Sequence, residues 1–137
     1  MVTPSKRRKA SQETKKKEII MSTRATYEFI SLVSSFEPTV VVYRHYDGYP
    51  EGAADWLKDV RTAEDFIRKN TEASITQSHD VHGDTDYRYI VTRGHKGSVD
   101  IVAKQRIVYD QVDRWIVIFN GSAEEFQRHY SREGAAA

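Results

Sequence analysis

The chain reads as an α+β domain: an antiparallel sheet of about five strands with helices on one face, in the order ββαα–βββα. Three observations predict it. Apolar and polar residues alternate with period two in several short segments, which is the mark of a half-buried strand. Between two groups of such segments, apolar residues recur at spacings of three and four, as on one face of a helix. The strands are grouped rather than alternating one by one with helices, which favours α+β over a parallel α/β sheet.

The first strand is expected over residues 23–33. There Ala25, Tyr27 and Phe29 alternate with Arg24, Thr26 and Glu28. A turn at Ser34-Ser35-Phe36-Glu37-Pro38 leads to a second strand, Thr39-Val40-Val41-Val42-Tyr43-Arg44-His45. This one is β-branched and apolar on both faces at its start, so it belongs inside the sheet. A hairpin is the simplest pairing of the two.

Asp47-Gly48-Tyr49-Pro50 breaks the second strand. Gly48 permits positive φ, and Pro50 suits the first turn of a helix. The helix then carries Ala53, Trp56, Leu57 and Val60 on one face. Thr62 followed by Asp65 predicts a capped start for a second short helix through Phe66, Ile67 and Arg68, ending at Asn70. Thr76–Thr85 is polar and glycine-containing and reads as a loop.

Asp86–Thr92 is the next strand, followed by a glycine-bounded turn, Arg93-Gly94-His95-Lys96-Gly97, and a strand over Ser98–Val108. A reversal at Gln111-Val112-Asp113 precedes Arg114-Trp115-Ile116-Val117-Ile118-Phe119, the strongest strand signal in the chain, which Asn120-Gly121 is expected to stop. Ser122 and Glu125 form a capping box for a last helix that turns Phe126 and Tyr130 inward. The strands carry more apolar residues than one buried face needs. That surplus predicts a second buried surface and therefore a homo-oligomer.

With 137 residues the chain is expected to hold one folded domain, over residues 21–132. The formal net charge of +1 hides an asymmetry. Residues 1–20 hold seven basic side chains against Glu13 and Glu18, a charge of +5, so the remainder carries −4. Residues 1–20 have almost no apolar content before Ile19 and are expected to form a disordered basic tail, with a short helical stretch near Gln12–Ile19. Three readings of the tail stand side by side. It attracts nucleic acid by counterion release, it is a solvated arm, or it is an upstream start preceding Met21-Ser22-Thr23-Arg24. Residues 133–137 are expected to be a disordered C-terminus.

There is no cysteine, which excludes disulfides, thiol nucleophiles and Cys-ligated metal centres. No apolar run reaches the ~18 residues of a membrane helix, and no signal peptide is apparent, so the expected location is cytoplasmic. No nucleophile elbow, Ser-His-Asp order or paired catalytic carboxylate stands out, so the reading leans away from an enzyme, and no cofactor is expected. His79-Asp80-Val81-His82 with Asp84 and Asp86 has metal-ligating residue types, but in a polar loop without a helical frame they read as exposed side chains, and no metal is expected. Arg93–Gly97 lacks the P-loop pattern and reads as a solvated turn or a phosphate-touching hairpin tip.

The densest chemistry is Tyr43-Arg44-His45-Tyr46-Asp47-Gly48-Tyr49-Pro50, where a strand turns into a helix. Arg44, together with Arg24 across the hairpin, is a candidate phosphate ligand. Tyr43, Tyr46 and Tyr49 are candidates to stack on a base, beside His45. Asp47 is a candidate for a ribose hydroxyl. The alternative is a structural corner in which Asp47 accepts turn N–H bonds and the tyrosines pack. Arg24 would then pair with Asp47 or Glu51.

Met21-Ser22-Thr23-Arg24-Ala25-Thr26-Tyr27-Glu28-Phe29 and His45-Tyr46-Asp47-Gly48-Tyr49-Pro50-Glu51-Gly52 resemble a group of small phage, prophage and mobile-element proteins with an S-T-R-A start and an H-x-D-G-Y-P-E-G motif. In size and context the chain is, more loosely, similar to the first Thoeris anti-defence family. The resemblance implies an oligomeric sponge for a cyclic nucleotide signal, acting in the host cytoplasm, and it implies no particular ligand-binding residues. The expected function is therefore non-enzymatic sequestration of an anionic nucleotide-like signalling molecule. The alternative is a nucleic-acid- or protein-binding accessory factor that uses residues 1–20 as its handle.

Overall fold

A computed structural model describes residues 23–131 of the chain. The terminal segments expected at 1–20 and 133–137 lie outside those residues. The described elements are β1 (Ala25–Ser31), β2 (Val40–Arg44), α1 (Pro50–Leu57), α2 (Ala63–Lys69), β3 (Ser74–Thr76), β4 (Tyr87–Arg93), β5 (Val99–Tyr109), β6 (Val112–Ser122) and α3 (Ala123–Tyr130). Short 3-10 turns sit at His79–Val81 and His95–Gly97. The α+β class holds.

Among the described residues the sheet has six strands in the order β3-β2-β1-β4-β5-β6, not about five. The extra strand is β3, three residues that pair antiparallel with β2 inside a stretch too short to show periodicity. The sheet is also mixed rather than antiparallel. β1 and β4 run parallel, with Ala25 opposite Tyr87 and Ser31 opposite Arg93. The intervening chain, through two helices and β3, returns to the starting end of β1 before β4 begins, and that crossover sets the direction.

β6 runs on through Asn120-Gly121, which pair with Val102 and Ile101 instead of ending the strand. Sheet pairing overrides the local turn preference there. The β5–β6 reversal uses Asp110 and Gln111, both at positive φ, as a tight hairpin turn requires. The β5–β6 register shifts between Ala103 and Lys104, where β5 is still paired with β4.

The three helices among the described residues pack on one face. The strands give this face Ala25, Tyr27, Phe29, Val42, Tyr89, Val91, Ile101 and Ala103, and the helices give it Ala53, Ala54, Leu57, Phe66 and Phe126. Aromatic rings dominate: Tyr27 lies 4.5 Å from Phe66 and 5.1 Å from Tyr89, centroid to centroid. Both expected capping boxes form, with Asp65 N–H donating to Thr62 Oγ1 and Glu125 N–H donating to Ser122 Oγ, each at 3.1 Å. Each box satisfies orphan amides at the start of its helix. Lys69 Nζ donates to the carbonyls of Asp55 and Lys58 and so closes the end of α1.

Candidate functional site

The Asp47–Gly52 corner is built by backbone constraints. Asp47 takes positive φ, and Gly48 N–H donates to the Thr23 carbonyl at 2.9 Å. A Cβ on Gly48 would meet Ala25 Cβ at 2.8 Å, and one on Gly52 would lie 2.3 Å from the Asp47 carbonyl oxygen. Glycine lets the turn fold flat against the start of β1 and lets α1 begin directly above it. The buried Tyr89 hydroxyl donates to the Gly48 carbonyl at 2.5 Å and pins the corner to β4. Burial pushes the Tyr89 phenol well above its ordinary pKa. Asp47 and Tyr49 thus serve the turn, with Tyr49 at the N-cap position of α1 but giving it no side-chain cap.

Strand alternation divides the remaining candidates. Ala25 pairs with Arg44 and Thr26 with Tyr43. Arg44 therefore faces the helices with Ala25, while Tyr43 lies on the opposite face beside Thr26. Arg44 is 7% exposed, and its guanidinium stacks 4.1 Å from the centre of the Trp56 ring in α1. Its Nε is buried without a hydrogen-bond partner, as is the Tyr27 hydroxyl on the same face. Burial pushes the Tyr27 phenol upward, with the charge of Arg44 opposing the shift.

On the opposite face, Tyr43 is the centre of a cluster. Its hydroxyl donates to Asp84 at 3.0 Å, and its ring stacks on His82 at 3.7 Å with 10° between planes. His45 meets the same ring edge-on at 4.8 Å. Arg24 Nε lies 3.2 Å from the Asp84 carboxylate. Asp84 is therefore an ion-pair partner of Arg24. Burial first, and then the Asp84 carboxylate, push the Tyr43 phenol up to about 12. His45 and Tyr46 are exposed at the rim. The structure thus brings together Arg24, Tyr43, His45 and Tyr46, and leaves Arg44 on the other side of the sheet.

His82 and Asp84 come from a strap, residues 78–86, that crosses the open face. A second contact set holds it there. His79 Nδ1 lies 2.5 Å from Thr26 Oγ1 and His79 Nε2 lies 3.0 Å from Glu28 Oε1. With Nε2–H donating to the carboxylate, Nδ1 accepts from the threonine hydroxyl. Arg88 also reaches Asp80 at 2.7 Å. Thr26 is fully buried, so its hydroxyl has no open approach for a substrate, and the contact serves to fasten the strap. Among the described residues no group of three or more His, Asp or Glu side chains is placed to hold a metal ion. The sequence reading missed the roles of His82 and Asp84. Their only signal was a polar segment with His and Asp, read as exposed side chains in a loop.

Two hollows lie at the other end of the sheet. A cleft of about 970 Å³ opens between the end of α1, the β4–β5 turn and α3, and a smaller one of about 380 Å³ lies beside β1. Arg61 lines both. No helix among the described residues is long and apolar enough to cross a membrane. No protein-family model, curated protein or solved structure matches the chain.

Proposed function

We propose that the chain is a non-enzymatic binding protein of phage or mobile-element type that sequesters an anionic nucleotide-like signalling molecule in the host cytoplasm. The observation that carries this reading is the Tyr43–His82 stack with Arg24 beside it and His45 and Tyr46 exposed at its rim. The exposed His45 and Tyr46 rings, rather than the Tyr43 ring buried under His82, are the ones to stack on a base, while the Arg24 guanidinium takes a phosphate and the half-exposed Asp84 carboxylate accepts from a ribose hydroxyl. Asp84 takes the role expected of Asp47.

The same reading includes self-association. Beyond its pairing with β4, the β5–β6 hairpin exposes Val108, Tyr109 and Val112, and level with that pairing β6 exposes Ile116 and Val117. A two-stranded arm with apolar side chains on both faces is marginal alone and gains by packing on a second copy. Mass measurement in native solution should find more than one chain, and Ile116→Lys with Val117→Asp should reduce the mass to that of one.

Calorimetry against a panel of cyclic mono- and dinucleotides tests the central claim. At least one should bind saturably and be recovered intact after long incubation. Failure of the whole panel would reject nucleotide capture, and a hydrolysed ligand would reject the non-enzymatic part.

A further inference from the structure

We propose a second binding site, separate from the Tyr43 cluster and independent of the function argued for it: the cleft at Arg61, taking an organic oxyanion that carries an apolar body. Two guanidiniums line this cleft, Arg61 from the α1–α2 link and Arg128 from α3. Four carboxylates line it too, yet among the described residues no side-chain ion pair within 4 Å joins either arginine to any of them. The Arg61 backbone amide is engaged by Asp65, which fixes where the side chain departs. Its guanidinium then lies against Gly97, where a Cβ would be 2.5 Å from Nη2. Gly97 also has a φ of +79°, so the turn both needs glycine and leaves Arg61 its place.

The surroundings supply the other half of the ligand. Leu57, Val60 and Val99 form an apolar part of the larger chamber. On the other side of Arg61, the smaller chamber is walled by Phe29, Pro38 and Val40. An anion held at Arg61 therefore has apolar space on both sides. The larger volume falls in the range of small-molecule sites. A phosphate ester and a carboxylate share the chemistry a guanidinium recognises, so the oxyanion is the class assigned.

Hexyl phosphate, hexanoate and inorganic phosphate are the probes, titrated into the full chain by calorimetry. One alkyl probe should bind saturably and at least tenfold more tightly than inorganic phosphate. Arg61→Ala should weaken it at least tenfold, and Arg128→Ala should weaken it as well. Arg24→Ala, in the other cluster, should leave it unchanged, which separates failure here from failure there. Whichever alkyl probe binds more tightly identifies the source of the oxyanion. Absence of saturable binding by both alkyl probes, or equal affinity in a folded Arg61→Ala variant, overturns the proposal. Should Arg61→Ala not fold, loss of the hexyl-induced shift of the Val60 and Val99 methyl resonances in Arg128→Ala supplies the same decision.

Discussion

Tyr43 and Arg44 are consecutive in β2 and project from opposite faces of the sheet, one onto His82 and the other onto Trp56. The two most suggestive side chains of the corner therefore serve different environments. One is satisfied by a carboxylate, and the other keeps a buried Nε without an acceptor.

The Tyr43 side predicts a specific loss. Asp84→Ala removes the acceptor of a phenol that is only 3% exposed and also a carboxylate beside Arg24. Stability should fall by about 1–3 kcal/mol in urea unfolding, the cost of leaving a buried donor unpaired. An unchanged midpoint would show that water replaces the carboxylate at no cost.

The raised Tyr43 pKa gives a pH dependence whose sign is fixed. The folded phenol stays protonated up to about 12, while in the unfolded chain it ionises near the ordinary value of 10.0. Folding stability is thus fully present below about pH 10 and declines as the pH rises towards 12. Tyrosinate absorbance against pH should show ionisation of Tyr43 held back in the folded protein. The Tyr43→Phe variant should lose that component.

His79→Leu should release the strap. The variant leaves the Glu28 carboxylate and the Thr26 hydroxyl without the imidazole between them. Hydrogen exchange at residues 78–86 should accelerate while β4 and β5 keep their protection. Uniform acceleration throughout the sheet would instead make this contact part of the global core.

Arg44→Met exposes a balance between two effects. The substitution removes a buried, incompletely bonded charge, which favours the variant, and removes the stacking on Trp56, which disfavours it. The net change should stay within about 1 kcal/mol. A loss above roughly 3 kcal/mol would mean that the guanidinium holds the corner together.

Local chemistry was readable in the sequence wherever one short segment decides the outcome. Thr62 with Asp65 and Ser122 with Glu125 cap their helices because partners three residues apart meet whatever the rest of the chain does. The opposite faces of Tyr43 and Arg44 were implicit in period-two alternation, but the density of the motif drew them into one site. What failed was non-local. Ser74-Ile75-Thr76 is too brief for a pattern, and only β2 makes it a strand. Nothing near His82 or Asp84 announces a partner 39 or 41 residues earlier in the chain. Likewise, no local signal distinguishes a parallel β1–β4 pair from an antiparallel one.

That parallel pair also governs how the molecule comes into being. Ala25 waits for Tyr87, so a nascent chain emerging from the ribosome presents an unfinished edge on β1 until more than sixty further residues have been made. The hairpin of β1 and β2 can form early, yet its central neighbour arrives late, after a costly loop closure. During synthesis the amides and carbonyls on that side of β1 have no strand partner until β4 arrives.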